Sequence, residues 1–153
     1  MTGATDDALM RTYERALYDV HLPDGKVTLL HRRAPVGASD PIRGRRLVIV
    51  TAYNPGHARP SEAENAAANA RLRAEIERRG LDWYPAAGYA RVSAADEPDA
   101  HAEEAHSEPS FAVMDVEIEV GVELGQLFDQ AAIFYWDGRR GSVVACHPGT
   151  RRS

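Results

Sequence analysis

Ser61, Asn65 and Asn69 recur every four residues in the segment PSEAENAAANARLRAEIERRG, and that spacing sets polar groups along one side of a helix. At 100° per residue, Asn65, Asn69, Leu72 and Ile76 fall within an arc of about 60°. Leu72 and Ile76 mark the face that packs on a sheet, so the two carboxamides point inward beside them. Each must find hydrogen-bond partners or cost about 1–3 kcal/mol. Those partners must lie near the end of the apolar run RLVIVTAY at 46–53, where Thr51, Asn54 and the helix N-terminus converge. Crevices at strand carboxyl ends beside helix N-termini are common ligand sites. The same carboxamides would serve equally well to hold the 54–60 loop through its backbone. The residues alone leave both roles open.

Other reactive types are placed less favourably. His101 and His106 are separated by about 140° on a helix, whereas zinc-binding pairs stand at i and i+4 on one face. Cys146 and His147 are neighbours in sequence, which does not make a dyad; a lone cysteine at a strand end is a packing residue. His57 precedes the helix and reads as an exposed loop residue able to meet an anion. There is no P-loop, no G-x-G-x-x-G after a strand, no nucleophile elbow and no kinase signature. Nucleotide hydrolysis and the common cofactor folds are therefore disfavoured, and neither metal nor cofactor is expected. Arg32, Arg33, Arg43, Arg45 and Arg46 crowd around a loop at 34–45, a local patch that could grip phosphates or another protein. The pI near 5.7 opposes a broad basic face, so nucleic acid is not the expected partner.

The elements that must position these groups follow from local rules. Ser61 as N-cap and Glu64 three residues on form a capping box, and Gly80 suits the far end, so a helix spans 62–79. Arg71–Glu75, Arg73–Glu77 and Glu75–Arg79 are i,i+4 pairs on its wet side. The branched run at 46–53 suits a central strand buried on both faces. Asp24-Gly25 between 16–22 and 27–30 predicts a hairpin. A short helix at 6–15 precedes it. An irregular strand at 82–92 is broken by Pro85 and Gly88. Residues 93–109 carry six acidic and no basic side chains and predict a long mobile loop. A strand at 111–118, a helical stripe through Val120, Leu124, Leu127 and Phe128, and strands at 131–136 and 141–146 complete the chain, with 147–153 as a loose tail. The order α-β-β-β-α-β-β-α-β-β predicts one α+β domain over 1–153: a mixed sheet of about six to seven strands with two or three helices.

Length and composition agree with that reading. The 153 residues are 44% hydrophobic, enough for one real core and too few for two full domains. No apolar run approaches the roughly 18–20 residues that cross a bilayer, and no membrane partner is expected. The acidic start, with Asp6 and Asp7, lacks the basic region of a secretory signal. The single cysteine excludes an internal disulfide framework, so a reduced, cytoplasmic setting is expected. The net charge of -5 is uneven: residues 1–59 hold nine basic and six acidic side chains, residues 60–153 nine and seventeen. Twenty-five alanines beside seventeen arginines read as composition bias, not as an anion-binding programme.

The strand end Thr51-Ala52-Tyr53-Asn54-Pro55 resembles the "TAxNP" signature of Domain of Unknown Function family 3293, found mainly in bacteria. Ser61 with Glu64-Asn65 resembles that family's "S…EN" segment, and Asn69 with Leu72 its helix continuation. Pro85 and Gly88 resemble "P..G", Glu108 with Ser110-Phe111 resembles "E.SF", and Phe128, Gln130 and Ala132 resemble "FGQ.A". The resemblance covers about residues 12–146. Asp129 stands where the pattern has glycine, and the acidic 93–107 stretch is longer than the pattern requires. The resemblance implies a fold and a set of positions but no activity. Its positions are Thr51, Asn54, Ser61, Asn65, Asn69, Ser110 and Gln130 as ligand-binding candidates, with Glu108 added. Neutral amides and hydroxyls suit a small polar ligand such as a nucleobase, a sugar or a peptide segment. Glu108 is the only carboxylate in the set. As a catalytic candidate it would act as general acid/base, with Asn65 and Gln130 orienting a substrate.

Overall fold

The computed structural model describes residues 17–23, 27–31, 42, 44–55, 59–89 and 107–147. The expected helix at 6–15, the 24–26 turn, His57, most of the 32–43 region, the acidic residues 90–106 and the tail from 148 lie outside them. The elements in chain order are β1 (Leu17–His21), β2 (Val27–His31), β3 (Leu47–Val50), α1 (Glu62–Arg78), β4 (Trp83–Tyr89), β5 (Ser107–Met114), α2 (Ile118–Leu127), β6 (Ala132–Trp136) and β7 (Gly141–Ala145). They form an α+β fold around one seven-stranded sheet in the order β2-β1-β4-β5-β3-β6-β7.

Every pairing in that sheet is antiparallel, where the sequence predicted a mixed sheet. The reason is interleaving. A strand joined to the next by a helix runs parallel to it, yet β3 and β4 are not neighbours: β5 lies between them. Likewise β3 lies between β5 and β6. The two β-α-β units therefore mesh, as in ferredoxin-like split units. The hairpin β1–β2 extends one edge of this core and β7 the other.

The helices cover one face. Leu72 and Ile76 of α1 and Leu124 of α2 pack with Val48, Val50, Phe111, Val113 and Ile133. Glycine allows α2 to lie flat. A Cβ on Gly121 would stand 2.6 Å from Val48 Cγ1, and one on Gly125 2.4 Å from Cys146 Sγ. The opposite face gathers Tyr18, Val20, Leu47, Ile49, Phe134 and Trp136. The rings of Tyr18 and Phe134 are 4.5 Å apart, although β1 and β6 are four ladder steps apart, or about 19 Å if flat. The sheet thus curls away from the helices and closes on its second core.

Three local outcomes differ from the sequence reading. Residues 107–109, expected inside the acidic loop, already belong to β5, because β4 extends to Tyr89 and pairs with Ser107. Pro85 does not break β4: the pairing with β1 stops at Ala86, so the missing N–H costs no ladder bond. On α1, Glu75 bonds Arg78 and Arg79 and leaves Arg71, while Glu77 accepts from the Trp83 indole at 3.3 Å and leaves Arg73. Glu placed N-terminal to Arg is the better-oriented pair, and only Glu75–Arg79 of the expected pairs has that order.

Candidate functional site

The ends of α1 are set locally. Ser61 Oγ accepts from the Glu64 N–H at 3.1 Å, and Glu64 Oε1 accepts from the Ser61 N–H at 2.9 Å. The capping box thus occupies the Ser61 hydroxyl. Gly80 takes φ 72°, and Leu81 N–H donates to Ile76 O, closing the helix with a Schellman turn. Asn65, Asn69, Leu72 and Ile76 are its buried residues, as the periodicity requires.

Asn69 lies where β3 and β5 separate. Their ladder ends at Val50↔Phe111, and the same register carried on would set Ala52 opposite Pro109. The carboxamide of Asn69 stands between them. Its Oδ1 accepts from the Ala52 N–H at 2.8 Å and its Nδ2 donates to Pro109 O at 3.0 Å. The side chain thus replaces a peptide group in a ladder that has opened. The Thr51 hydroxyl donates to the same Pro109 carbonyl at 2.7 Å and accepts from the Tyr53 N–H at 3.2 Å.

Asn65 repeats the device one turn nearer the N-terminus. Its Oδ1 accepts from the Asn54 N–H at 2.9 Å and its Nδ2 donates to Asn54 Oδ1 at 3.0 Å. Asn54 sits at φ 47°, a left-handed conformation that asparagine tolerates better than most residues. Its own Nδ2 donates to Glu108 Oε2 at 3.0 Å. A continuous chain therefore runs Asn65–Asn54–Glu108, from α1 across the end of β3 to β5.

Glu108 is half-buried. Burial pushes its pKa above the ordinary carboxylate value; the Asn54 hydrogen bond and the field of Arg59 oppose that rise without cancelling it. Among the described residues no cation is within ion-pair distance of it. Beside it, Tyr53 donates to Glu62 Oε2 at 2.6 Å. That bond, burial and nearby negative charge push its phenol up to about 12, so Tyr53 is a fixed donor.

Gln130 is brought to the same strand end by the close of α2. Asp129 takes φ 58°, and the Gln130 N–H donates to Gly125 O at 2.8 Å. This is a Schellman turn with aspartate at the position where the pattern has glycine. Gln130 Nε2 then donates to Tyr53 O at 3.1 Å. It meets the backbone next to Asn54, not the side chains of Asn54 or Asn65. Ser110 is buried and donates to Glu108 O at 3.0 Å.

Asn65 and Asn69 each line a groove, whereas Asn54, Glu108 and Gln130 line neither of the two. One of about 580 Å³ runs along α1, between Pro55, Arg59 and Pro60 on one bank and Asn65, Ala68 and Arg71 on the other. A second of about 360 Å³ lies beside Asn69, over Trp83, Pro85 and Phe111. Sequence reasoning missed Tyr53, Arg59 and Arg71: nothing in residue spacing tells which arginine the helix acids leave alone. In the basic region, Arg45 bonds Asp115 at 2.7 Å and Arg46 bonds Glu117 at 2.6 Å; Arg32, Arg33 and Arg43 lie outside the described residues. Cys146 is buried and its thiol is pushed up to about 11, far from a nucleophile's range. Among the described residues no group of His, Cys, Asp or Glu could hold a metal, and no helix is long and apolar enough to cross a membrane.

The model of a family described as Protein of unknown function (DUF3293) matches residues 50–133, from the end of β3 into β6. No curated protein and no solved structure matches the chain. The chain belongs to the DUF3293 family.

Proposed function

We propose that this DUF3293 protein binds a small polar ligand, or a peptide segment, at the open end of β3, and that Glu108 receives a hydrogen-bond donor from it. The observation that carries this reading is the state of Glu108. Among the described residues this half-buried carboxyl is held by a neutral carboxamide, with Arg59 acting only through space, and it is costly to ionise; folds retain such groups where a ligand or a reaction uses them. Asn65, Asn69 and Gln130 contribute by holding the strand end open and in place, since their amides are already bonded to the chain. Thr51, Ser61 and Ser110 support the same frame.

The same carboxyl supports a second reading, an enzyme in which Glu108 exchanges a proton with substrate. A raised carboxyl pKa suits a general acid/base. A cytoplasmic setting fits either, given one buried cysteine, and a bacterial one is what the family resemblance implies. The engagement of Arg45 and Arg46 by acids disfavours nucleic acid as the partner.

Thermal-shift screening of the full chain against amides, polyols, nucleosides and short peptides tests the binding reading. A hit at 100 times its Kd adds about 2.7 kcal/mol of stability. Glu108→Gln, which keeps the shape and the Asn54 acceptor, should abolish or strongly weaken that shift. A hit that Glu108→Gln and Asn54→Gly leave unchanged would overturn it. Turnover of any ligand that persists in Glu108→Gln would overturn the enzymatic reading alone.

A further inference from the structure

We propose that the groove lined by Pro55, Arg59 and Pro60 on one side and α1 on the other takes an anionic group, a phosphate or a carboxylate, between Arg59 and Arg71; the inference rests on the polar-ligand reading of the β3 end and names the charged part of that ligand. The argument is one of unspent charge. Arg59 and Arg71 both line the groove. Among the described residues neither makes an ion pair or a side-chain hydrogen bond, whereas Arg45, Arg46, Arg78 and Arg79 are all paired with acids.

The pairing that would have neutralised Arg71 is diverted. Glu75 is one turn away, but its Oε2 accepts from Arg78 at 2.6 Å and from Arg79 at 2.7 Å, and its Oε1 from Arg78 at 3.1 Å. One turn back from Arg71 are Ala67 and Ala68, which carry no acid and keep the groove wide. Among the described residues the one acid on the lining is Glu64, whose Oε1 is held by the Ser61 N–H in the capping box. Two arginines that make no ion pair or side-chain hydrogen bond among the described residues therefore line a space of about 580 Å³, room for a ligand well beyond an inorganic ion. Guanidinium forks match the planar carboxylate and the phosphate oxygens by paired N–H donors. The rest of the wall is Asn65, Pro55 and Pro60, which adds a neutral bonding group and two rigid apolar surfaces. Arg59 also acts through space on Glu108, so the cationic groove and the carboxyl lie within each other's field. A ligand carrying an anionic group at one end and a hydrogen-bond donor at the other would satisfy both.

The test is a titration of the full ¹⁵N-labelled chain, at constant ionic strength, with inorganic phosphate, glycerol 3-phosphate and acetate in separate arms, with chloride as reference. Saturable shifts confined to α1 and the 59–65 backbone are expected. Arg59→Gln and Arg71→Gln should each weaken binding about tenfold, and Arg139→Gln should not. The strongest arm identifies a free phosphate, a phosphoryl group on a larger molecule, or a carboxylate. Shifts that grow linearly without saturating, or an affinity equal in all variants, would overturn the proposal. If neutral amides or polyols bind in a manner dependent on Glu108 while every anion fails, the anion assignment falls and the polar-ligand reading stands. If neither class binds, both fall.

Discussion

Asn69 and Pro109 meet across the opening between β3 and β5. Asn69 Nδ2 donates to the Pro109 carbonyl at 3.0 Å while Asn69 Oδ1 takes the Ala52 N–H at 2.8 Å. These backbone groups would face each other if the ladder continued past Val50↔Phe111. A side-chain amide has the donor and acceptor of a peptide group, so it can enter the gap without leaving either strand unsatisfied. The consequence is a strand pair that parts at its end at little cost and leaves Asn54 and the half-buried Glu108 beyond the wedge.

Removing the wedge should be expensive. Asn69→Leu fills similar space but strips the Ala52 N–H of its acceptor and Pro109 O of one donor. A loss of about 1–3 kcal/mol is expected, read from urea denaturation. Thr51→Val should cost about 1 kcal/mol, since Asn69 still serves Pro109 and the loss is that of the longer 3.2 Å bond from the Tyr53 N–H. Equal stability in Asn69→Leu and wild type would show that the strands close without it.

Backbone conformation at Asn54 predicts an order among substitutions. Asn54→Gly and Asn54→Ala both lose the bonds to Asn65 Nδ2 and Glu108, but alanine must also hold the left-handed φ of 47°. Alanine should therefore be the less stable by about 1 kcal/mol. By the same physics, Asp129→Gly relieves a φ of 58° at the end of α2 and should raise stability by up to about 1 kcal/mol. Thermal melts of the three variants distinguish these effects, and a destabilised Asp129→Gly would contradict the second.

Acid dependence should bear the mark of Glu108. Burial raises its folded pKa above the ordinary 4.5, so the folded chain holds the proton more tightly than the unfolded chain. Its contribution to stability is fully present below 4.5 and is lost as pH rises through the raised value. Glu108→Gln should then equal or exceed wild type in stability at pH 7, with the gap closing as the pH falls below 4.5. Glu75 behaves in the opposite sense. Arg78 and Arg79 lower it to about 2, so its contribution is present above 4.5 and fades as pH falls toward 2. Denaturant midpoints of Glu75→Gln across that range should converge on wild type from below.

Contact between α2 and the strand end should show as coupling between two positions. The Cβ of Gly125→Ala would meet Cys146 Sγ at 2.4 Å, and overpacking of this kind costs about 1–3 kcal/mol. Cys146→Ala removes the sulfur. The double variant should therefore recover most of the loss, and simple additivity in the double-mutant cycle would contradict the close approach.

Features that depend on near neighbours are legible in the residues alone. The capping box at Ser61 and Glu64, the turn at Gly80, the inward face of Asn65 and Asn69 beside Leu72 and Ile76, and the pairing of β1 with β2 all follow from spacing and turn chemistry. These span a few residues, so local rules suffice. The order of strands was decided by tertiary structure: β5 enters between β3 and β4, and β3 between β5 and β6. That interleaving makes the sheet wholly antiparallel and carries Glu108 to Asn54, fifty-four positions away. Competition among charges was decided there too. Glu75 has Arg71, Arg78 and Arg79 within one turn, and geometry awards it to the last two. Arg71 is left lining a groove with Arg59, because Arg78 and Arg79 are the guanidiniums that reach Glu75 and spacing alone cannot say which will.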